Sequence, residues 1–358
     1  MKRILVVDDN LAILKQISAY LSDDYEVSLA KSGALALQIC GKEKPDLILL
    51  DVEMSDMDGF DVISRLKHNP SSDRIPVIFL TANHDVETEI HALESGARDF
   101  ITKPVERSIL VHRIELHLRF ASYQAQTEQT VTSLSDSIAT SFAEMIECRD
   151  ENTGGHVVRT SKYVEVLGNE LINMGLFSDE LNQSELRLMV RAAPLHDIGK
   201  IAISDRILLK AGRLDDVEFS MMKCHSEIGA TILKRMYQRM PAQHYLRYAS
   251  LIAGSHHERY DGKGYPRSLI GNSIPLCGRI MAVADVYDAL MDNRVYRRGL
   301  GHIQASNIIY ENVGTHFDNR IVEAFRNAHE RIIEIADSAH EESVAALKNR
   351  LFVGEGMQ

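Results

Sequence analysis

The chain has 358 residues, 45% of them hydrophobic and only 8 of them proline, which describes folded, core-forming material with room for two or three domains. A formal net charge of −11 argues against a broad surface for nucleic acid or anionic membrane, since both partners are themselves negative. Four scattered cysteines (Cys40, Cys148, Cys224, Cys277) without CxxC spacing fit free thiols in a reducing cytosol, and no stretch reaches the ~20 apolar residues of a spanning helix or forms a signal-peptide core.

From the start to about residue 119, short apolar runs alternate with amphipathic helical segments. "RILVVDD", "YEVSLA", "DLILLD", "IPVIFLTA" and "RDFITKP" read as five strands, and this alternation predicts a parallel sheet wrapped by helices. Ligands of such sheets bind beyond the carboxyl ends of the strands. Asp8 and Asp9 end the first strand, Asp51 the third, Thr81 the fourth and Lys103 the fifth. Crowded carboxylates repel by roughly 1 kcal/mol or more per close pair, so a bound cation is expected, with Mg²⁺ the natural choice. With that ion and Lys103 offsetting charge, Asp51 could attack a phosphoryl group and Thr81 could hydrogen-bond the new phosphate.

Residues 1 to 120 resemble the response-regulator receiver domain through "VVDDN", "LLDVEMSDMDG", "LTA" and "DFITKP". The resemblance implies a flavodoxin-like α/β fold and Asp51 as phosphoacceptor, supplied by a cognate histidine kinase. It also implies Mg²⁺ held by Asp8, Asp9, Asp51 and the Glu53 carbonyl, with Phe100 as the aromatic that moves with Thr81 beside Lys103. Ser55 stands where the family usually has proline, and a looser loop after Asp51 is expected.

Residues 107 to 148 read as continuously helical, with Val131, Leu134, Ile138, Phe142 and Met145 spaced 3, 4, 4 and 3 apart. Within this stretch, 121 to 139 is expected to be a helical linker. Its seam either packs on its own domain or pairs with its copy in a homodimer. From 140 to 345 helical runs dominate and predict an all-α domain, followed by a loose tail, "VGEGMQ".

The helical domain carries "GGHVVR" (His156), "PLHDIGK" (His196, Asp197, Lys200), "MKCHSEIG" (His225), "SHHERYDG" (His256, His257) and "VADVYDAL" (Asp285). A single histidine on an apolar face is usually a hydrogen-bonded core residue. Five of them with two acids, buried without a cation, would leave polar groups unsatisfied at about 1–3 kcal/mol each. Imidazole and carboxylate without thiolate suit Fe, Mn, Zn, Ni or Co. Seven donors exceed a closed structural zinc site, so a dinuclear centre is favoured, bridged by Asp197. His196 and Asp285 would complete one ion, and His225, His256 and His257 the other. Adjacent histidines on a helix point about 100° apart, so His256 and His257 either serve the second ion from a distorted helix end or divide between ion and substrate.

Residues 140 to 340 resemble the HD-GYP domain, an HD-superfamily phosphohydrolase group, through "RDENTGGHVVR", "AAPLHDIGKIAI", "HHERYDGKGYP", "RIMAVADVYDAL" and "NRVYR". The resemblance implies a cyclic di-GMP phosphodiesterase that opens the ring to linear pGpG and often continues to GMP. It makes His156, His196, Asp197, His225, His256, His257 and Asp285 metal ligands, with Fe or Mn preferred and Ni, Co or Zn the alternatives. Lys200 would contact the scissile phosphate beside Asp197, Arg294 and Arg297 would clamp the other phosphate, and the loop at Gly264, Tyr265 and Pro266 would touch diguanylate cyclase-type partners. Asn152 replaces the glutamate of members with a third metal, favouring two ions, and Asn319 after Phe317 and Asp318 replaces a usual proline, read as a loop change. A hybrid cyclic GMP-AMP phosphodiesterase and a catalytically weak cyclic-dinucleotide sensor or scaffold are the competing functions. No short basic helix suggests a DNA-binding output.

Overall fold

The computed structural model describes residues 1–69, 71–82, 90–91, 94–150, 155–292 and 299–337. It separates into two compact units, Met1–Thr132 and Ser133–Gln358. Among the described residues no helix is long and apolar enough to cross a membrane.

In the first unit, strands β1 (Arg3–Val7), β2 (Glu26–Ala30), β3 (Leu47–Asp51), β4 (Val77–Thr81) and β5 (Asp99–Thr102) form one parallel sheet of order β2-β1-β3-β4-β5. This is the flavodoxin-like receiver fold. Every residue of β3 and β4 is buried, as expected of central strands covered on both faces. Alternate side chains feed two cores. Leu5, Val7, Ile48, Leu50 and Phe79 pack with helices α2 (Gly33–Lys42) and α3 (Gly59–Lys67), whereas Ile4, Val6, Leu47, Leu49 and Leu80 pack with α1 (Leu11–Leu21) and with Leu110 and Ile114. The last two residues open α4 (Arg107–Glu147), a helix of 41 residues. Arg113 Nη1 and His117 Nε2, both on α4, reach the Asp99 carboxylate at 2.6 and 2.9 Å and tie the helix to β5.

The second unit is largely helical, with α5 (His156–Asn173), α6 (Gln183–Ala192), a short α7 (Asp205–Leu208), α8 (Asp216–Arg239), α9 (Tyr245–Ala253), α10 (Leu276–Met291), α11 (His302–Glu311) and α12 (Asn319–Asn327). Its core joins Tyr163, Leu167, Met189, Leu246, Ile280 and Phe325. Arg191 on α6 grips Asp136 near the end of α4 at 2.7 Å. Asn319 is not a loop residue: it is the first residue of α12, capped by the Asp318 carboxylate that accepts from Arg320 N. Proline and asparagine both fit that position, because the first helical N–H needs no partner.

Between α6 and α7 the chain makes two 3₁₀ turns, Ala193–Leu195 and Ile198–Ala202. Gly199 lies so close to α8 that a Cβ there would meet His225 O at 1.9 Å and Gly229 N at 2.6 Å. Only glycine lets the turn bearing Asp197 and Lys200 approach the helix bearing His225. Gly199→Ala is therefore expected to destabilise the second unit by about 1–3 kcal/mol, read as a lower urea midpoint with an unchanged slope.

Candidate metal centre and receiver site

Six chain segments deliver the helical unit's donors. Gly155, at φ 90, takes a left-handed conformation that suits glycine and starts α5 so that His156 is its first residue. The two 3₁₀ turns present His196, Asp197 and Lys200. His225 lies on the buried face of α8, which begins with a reciprocal capping box between Asp215 and Glu218. His256 and His257 follow the end of α9, and Asp285 lies on α10.

These donors gather into two groups, His156 with His196 and Asp285, and Asp197 with His225, His256 and His257, each group's ligand atoms lying within 4.8 Å of one another. Asp197 faces both: Oδ2 is 3.4 Å from His196 Nε2, while Oδ1 is 3.2 Å from His225 Nε2 and 3.5 Å from His256 Nε2. His156 Nε2 sits 3.5 Å from Asp285 Oδ1 and 3.3 Å from His196 Nε2. Lys200 Nζ bonds Asp197 Oδ2 at 2.8 Å. His256 and His257 do not diverge as they would on a regular helix. Their rings lie 4.0 Å apart in the turn after α9, and both join the same group.

The imidazoles are aimed by their other nitrogens. Nδ1 of His196 donates to Ala193 O (3.0 Å), of His225 to Met222 O (2.7 Å), of His256 to Ile252 O (3.1 Å) and of His156 to Asp288 Oδ2 (2.7 Å). In a neutral ring this leaves Nε2 as a lone pair turned toward the shared space. Asp197 Oδ1 and His256 Nε2 are buried with no hydrogen-bond partner among the described residues. Orphaned acceptors facing one another are what a cation would satisfy, so the residues fit a divalent metal centre of the kind an HD domain implies.

Charge follows the same plan. Burial works to raise Asp197, but the Lys200 and His196 charges hold it well below the usual carboxylate range. His257 is pushed well below the ordinary imidazole value by burial and by His256 and His225. His196 differs: burial lowers it, yet the facing Asp197 takes it up to about 9.

Asp288 and Glu147 carried no sequence signal of their own, and Tyr265 was marked only as part of the loop with Gly264 and Pro266. Asp288, three residues after Asp285, is fully buried and receives Arg159 Nε and Nη2 at 2.7 and 2.8 Å besides His156. Glu147, the last residue of α4, lines a cavity of about 20 Å³ with His156, His196, Asp197 and Lys200, and burial raises its carboxyl. Tyr265 lies 4.7 Å from His257 because Gly264 turns the loop back so tightly that a Cβ would meet Arg259 N at 2.3 Å. Asn152, Arg294 and Arg297 lie outside the described residues.

In the receiver unit, Asp8, Asp9 and Asp51 bring carboxylate oxygens within 4.8 Å of one another beyond β1 and β3. Lys103 Nζ bonds Asp8 Oδ2 and Asp51 Oδ2, each at 2.8 Å. Thr81 is buried at the end of β4, Phe100 is half-buried on β5, and Glu53 is exposed just after Asp51. Ser55 does not loosen its loop. Its N–H donates to Asp9 Oδ2 at 3.0 Å, a bond that proline could not make.

Residues 140–321 match the family described as HD domain, and residues 4–115 match the response regulator receiver domain. The chain is similar to a protein of Vibrio cholerae serotype O1 named probable cyclic di-GMP phosphodiesterase, 38% identical over 97% of this chain and 82% of that one. It is similar to the cyclic di-GMP phosphodiesterase response regulator RpfG of Xanthomonas campestris pv. campestris, 34% identical over 93% of this chain and 89% of the relative. A 3'3'-cGAMP-specific phosphodiesterase 2 of Vibrio cholerae serotype O1 shares 35% identity over 65% of this chain and 42% of its own.

Two outcomes follow from the geometry. Asp288→Asn should weaken metal binding by about 10- to 100-fold, since His156 loses the group that fixes its tautomer, and titration of the metal-free protein checks it. Burial raises Asp51 to about 6, with Lys103 opposing and the Asp8 charge adding. A carboxyl raised on folding contributes stability that is present below its unfolded value near 4 and is lost as pH rises through about 6. Without Mg²⁺, Asp51→Asn should therefore be more stable than the parent by about 2 kcal/mol near pH 7, with the gain vanishing toward pH 4 in equilibrium unfolding. The two family matches, the near full-length relatives and the two sites agree: this chain belongs to the two-component response regulators that join a receiver domain to an HD-GYP output domain.

Proposed function

We propose that the chain is a phosphodiesterase that hydrolyses cyclic di-GMP at the histidine and aspartate cluster, under control of phosphorylation at Asp51. The observation that carries this reading is Asp197, whose two carboxylate oxygens face two separate sets of imidazoles while Lys200 stands beside it. His156, His196 and Asp285 would hold one ion and His225, His256 and His257 the other, with Asp197 between them. Bound there, a pair of divalent ions, Fe or Mn by preference for this donor set, supplies Lewis acidity and lowers the pKa of water. Lys200 would bind a non-bridging oxygen of the scissile phosphate as charge builds there, its ammonium held in place by Asp197. Arg294 and Arg297 would hold the second phosphate, and Tyr265 would form the wall beside His257. Linear pGpG is the expected first product, with GMP after a second cut.

In the receiver unit, Asp8, Asp9, Asp51 and the Glu53 carbonyl would hold Mg²⁺, a histidine kinase would supply the phosphoryl group, and Thr81, Phe100 and Lys103 would respond to it. The protein would work in the cytoplasm as a homodimer, with cyclase-type partners meeting the loop at Tyr265. A second substrate, cyclic GMP-AMP, is favoured by the relative named for it. Phosphate and metal contacts do not read base identity.

Purified without oxygen, the protein should contain two transition-metal ions per chain and release pGpG from cyclic di-GMP. Asp197→Asn should lower kcat at least 10³-fold while the helical content stays unchanged. Full metal loading with no turnover of either cyclic dinucleotide would leave a sensor or scaffold in place of the enzyme.

A further inference from the structure

Arg149 lies in the 3₁₀ turn Cys148–Asp150 that follows α4, and it supplies nothing to the metal donors. Its half-buried guanidinium is nevertheless spent on the segment that carries them. Nη1 donates to Lys200 O at 3.4 Å and to Ile201 O at 3.3 Å, and Nη2 donates to Ile203 O at 3.3 Å and to Asp205 Oδ1 at 2.6 Å. Two carbonyls at the end of the turn Ile198–Ala202, the carbonyl just beyond it and the first residue of α7 thus converge on one side chain. A helical turn leaves its last carbonyls without partners of its own, and the rigid fork of guanidinium donors can serve several of them at once.

The turn is therefore held at two successive points. At Gly199 it is pressed against the backbone of α8, where no Cβ would fit, and from Lys200 onward it is held by Arg149. Lys200 stands where the two holds meet. Its N–H donates to Asp197 O at 2.9 Å, and its carbonyl accepts from Ile203 N at 3.0 Å besides Arg149. Its ammonium reaches Asp197 Oδ2 at 2.8 Å. A lysine head sits on a flexible four-carbon stem, so aiming it at one oxygen requires that the backbone beneath it stay still.

We propose that Arg149 is a positioning residue for the hydrolysis: it fixes the backbone of Lys200 so that the ammonium meets the scissile phosphate, and it touches neither substrate nor metal. This rests on the reading of Lys200 as the phosphate-binding group. Asp197 precedes Gly199 in the chain, on the side of the turn that α8 holds, so loss of Arg149 should release Lys200 while the metal donors keep their places. A lysine at position 149 keeps the charge but not the fork, and can serve only part of the set. Asp205, the shortest of the four contacts, anchors the guanidinium and leaves its remaining donors for the carbonyls.

Two measurements on the metal-loaded full chain test this. The first needs no turnover: reductive methylation read by mass spectrometry should label Lys200 several-fold faster in Arg149→Ala than in the parent, while Lys162 on α5 keeps its parental rate. In the second, Arg149→Ala should lower kcat on cyclic di-GMP by about 10- to 100-fold with its metal content unchanged, and Arg149→Lys should recover part of the loss. The same change should cost nothing further in a chain already carrying Lys200→Met. Lys200 labelled at the parental rate, losses that multiply in the double variant, or metal lost together with activity would each overturn the proposal. A fully loaded parent with no turnover would remove the phosphodiesterase reading instead, and the labelling would then decide by itself whether Arg149 holds Lys200.

Discussion

The helical unit is organised around one electrostatic constraint, the burial of the Asp197 carboxylate among imidazoles whose free nitrogens all face inward. The Lys200 ammonium partners Oδ2, but Oδ1 is buried without a hydrogen-bond partner among the described residues and faces imidazole nitrogens of His225 and His256. The surrounding fold nevertheless enforces that orientation. Backbone carbonyls at 193, 222 and 252 and the Asp288 carboxylate each occupy one imidazole Nδ1. The rings are thus turned toward a shared space whose donors fit a divalent ion.

The same logic operates on a smaller scale in the receiver unit. Three carboxylates meet at strand ends, and the Lys103 ammonium bridges two of them. Asp51 is left with a raised carboxyl because burial outweighs that ammonium, so its charge is held at a cost that a bound Mg²⁺ would relieve. Both sites therefore concentrate charge that the polypeptide alone does not balance. In each, tight backbone approaches do the positioning: Gly199 against α8, and Gly59, where a Cβ would meet Asp51 O at 2.4 Å.

Much of this was legible in the sequence because period and residue type report local physics. Continuous apolar runs such as Leu47–Asp51 marked strands buried on both faces, and each acid that followed one landed at the carboxyl edge of the sheet. The seven histidine and aspartate donors were legible as residues that would be too costly to bury singly. Less legible were their orientations. Adjacent His256 and His257 seemed badly placed for one ion on regular helical geometry, but α9 stops at Ala253 and the turn that follows brings both rings together. Ser55 suggests a looser loop and Asn319 a loop change, although one donates a backbone hydrogen bond and the other begins a helix.

The sequence by itself determined the two fold classes, the candidate residues for metal and phosphate, and the amphipathic character of the long helix α4. These follow from hydrophobic period and side-chain chemistry, which act within a few residues. Tertiary structure alone decided which donors share a centre, that Asp197 faces both sets, and that Asp288, Arg159 and Glu147 stand behind or beside them. Those relations join residues up to 132 positions apart, as His156 and Asp288 are, and depend on how helices cross rather than on any local pattern.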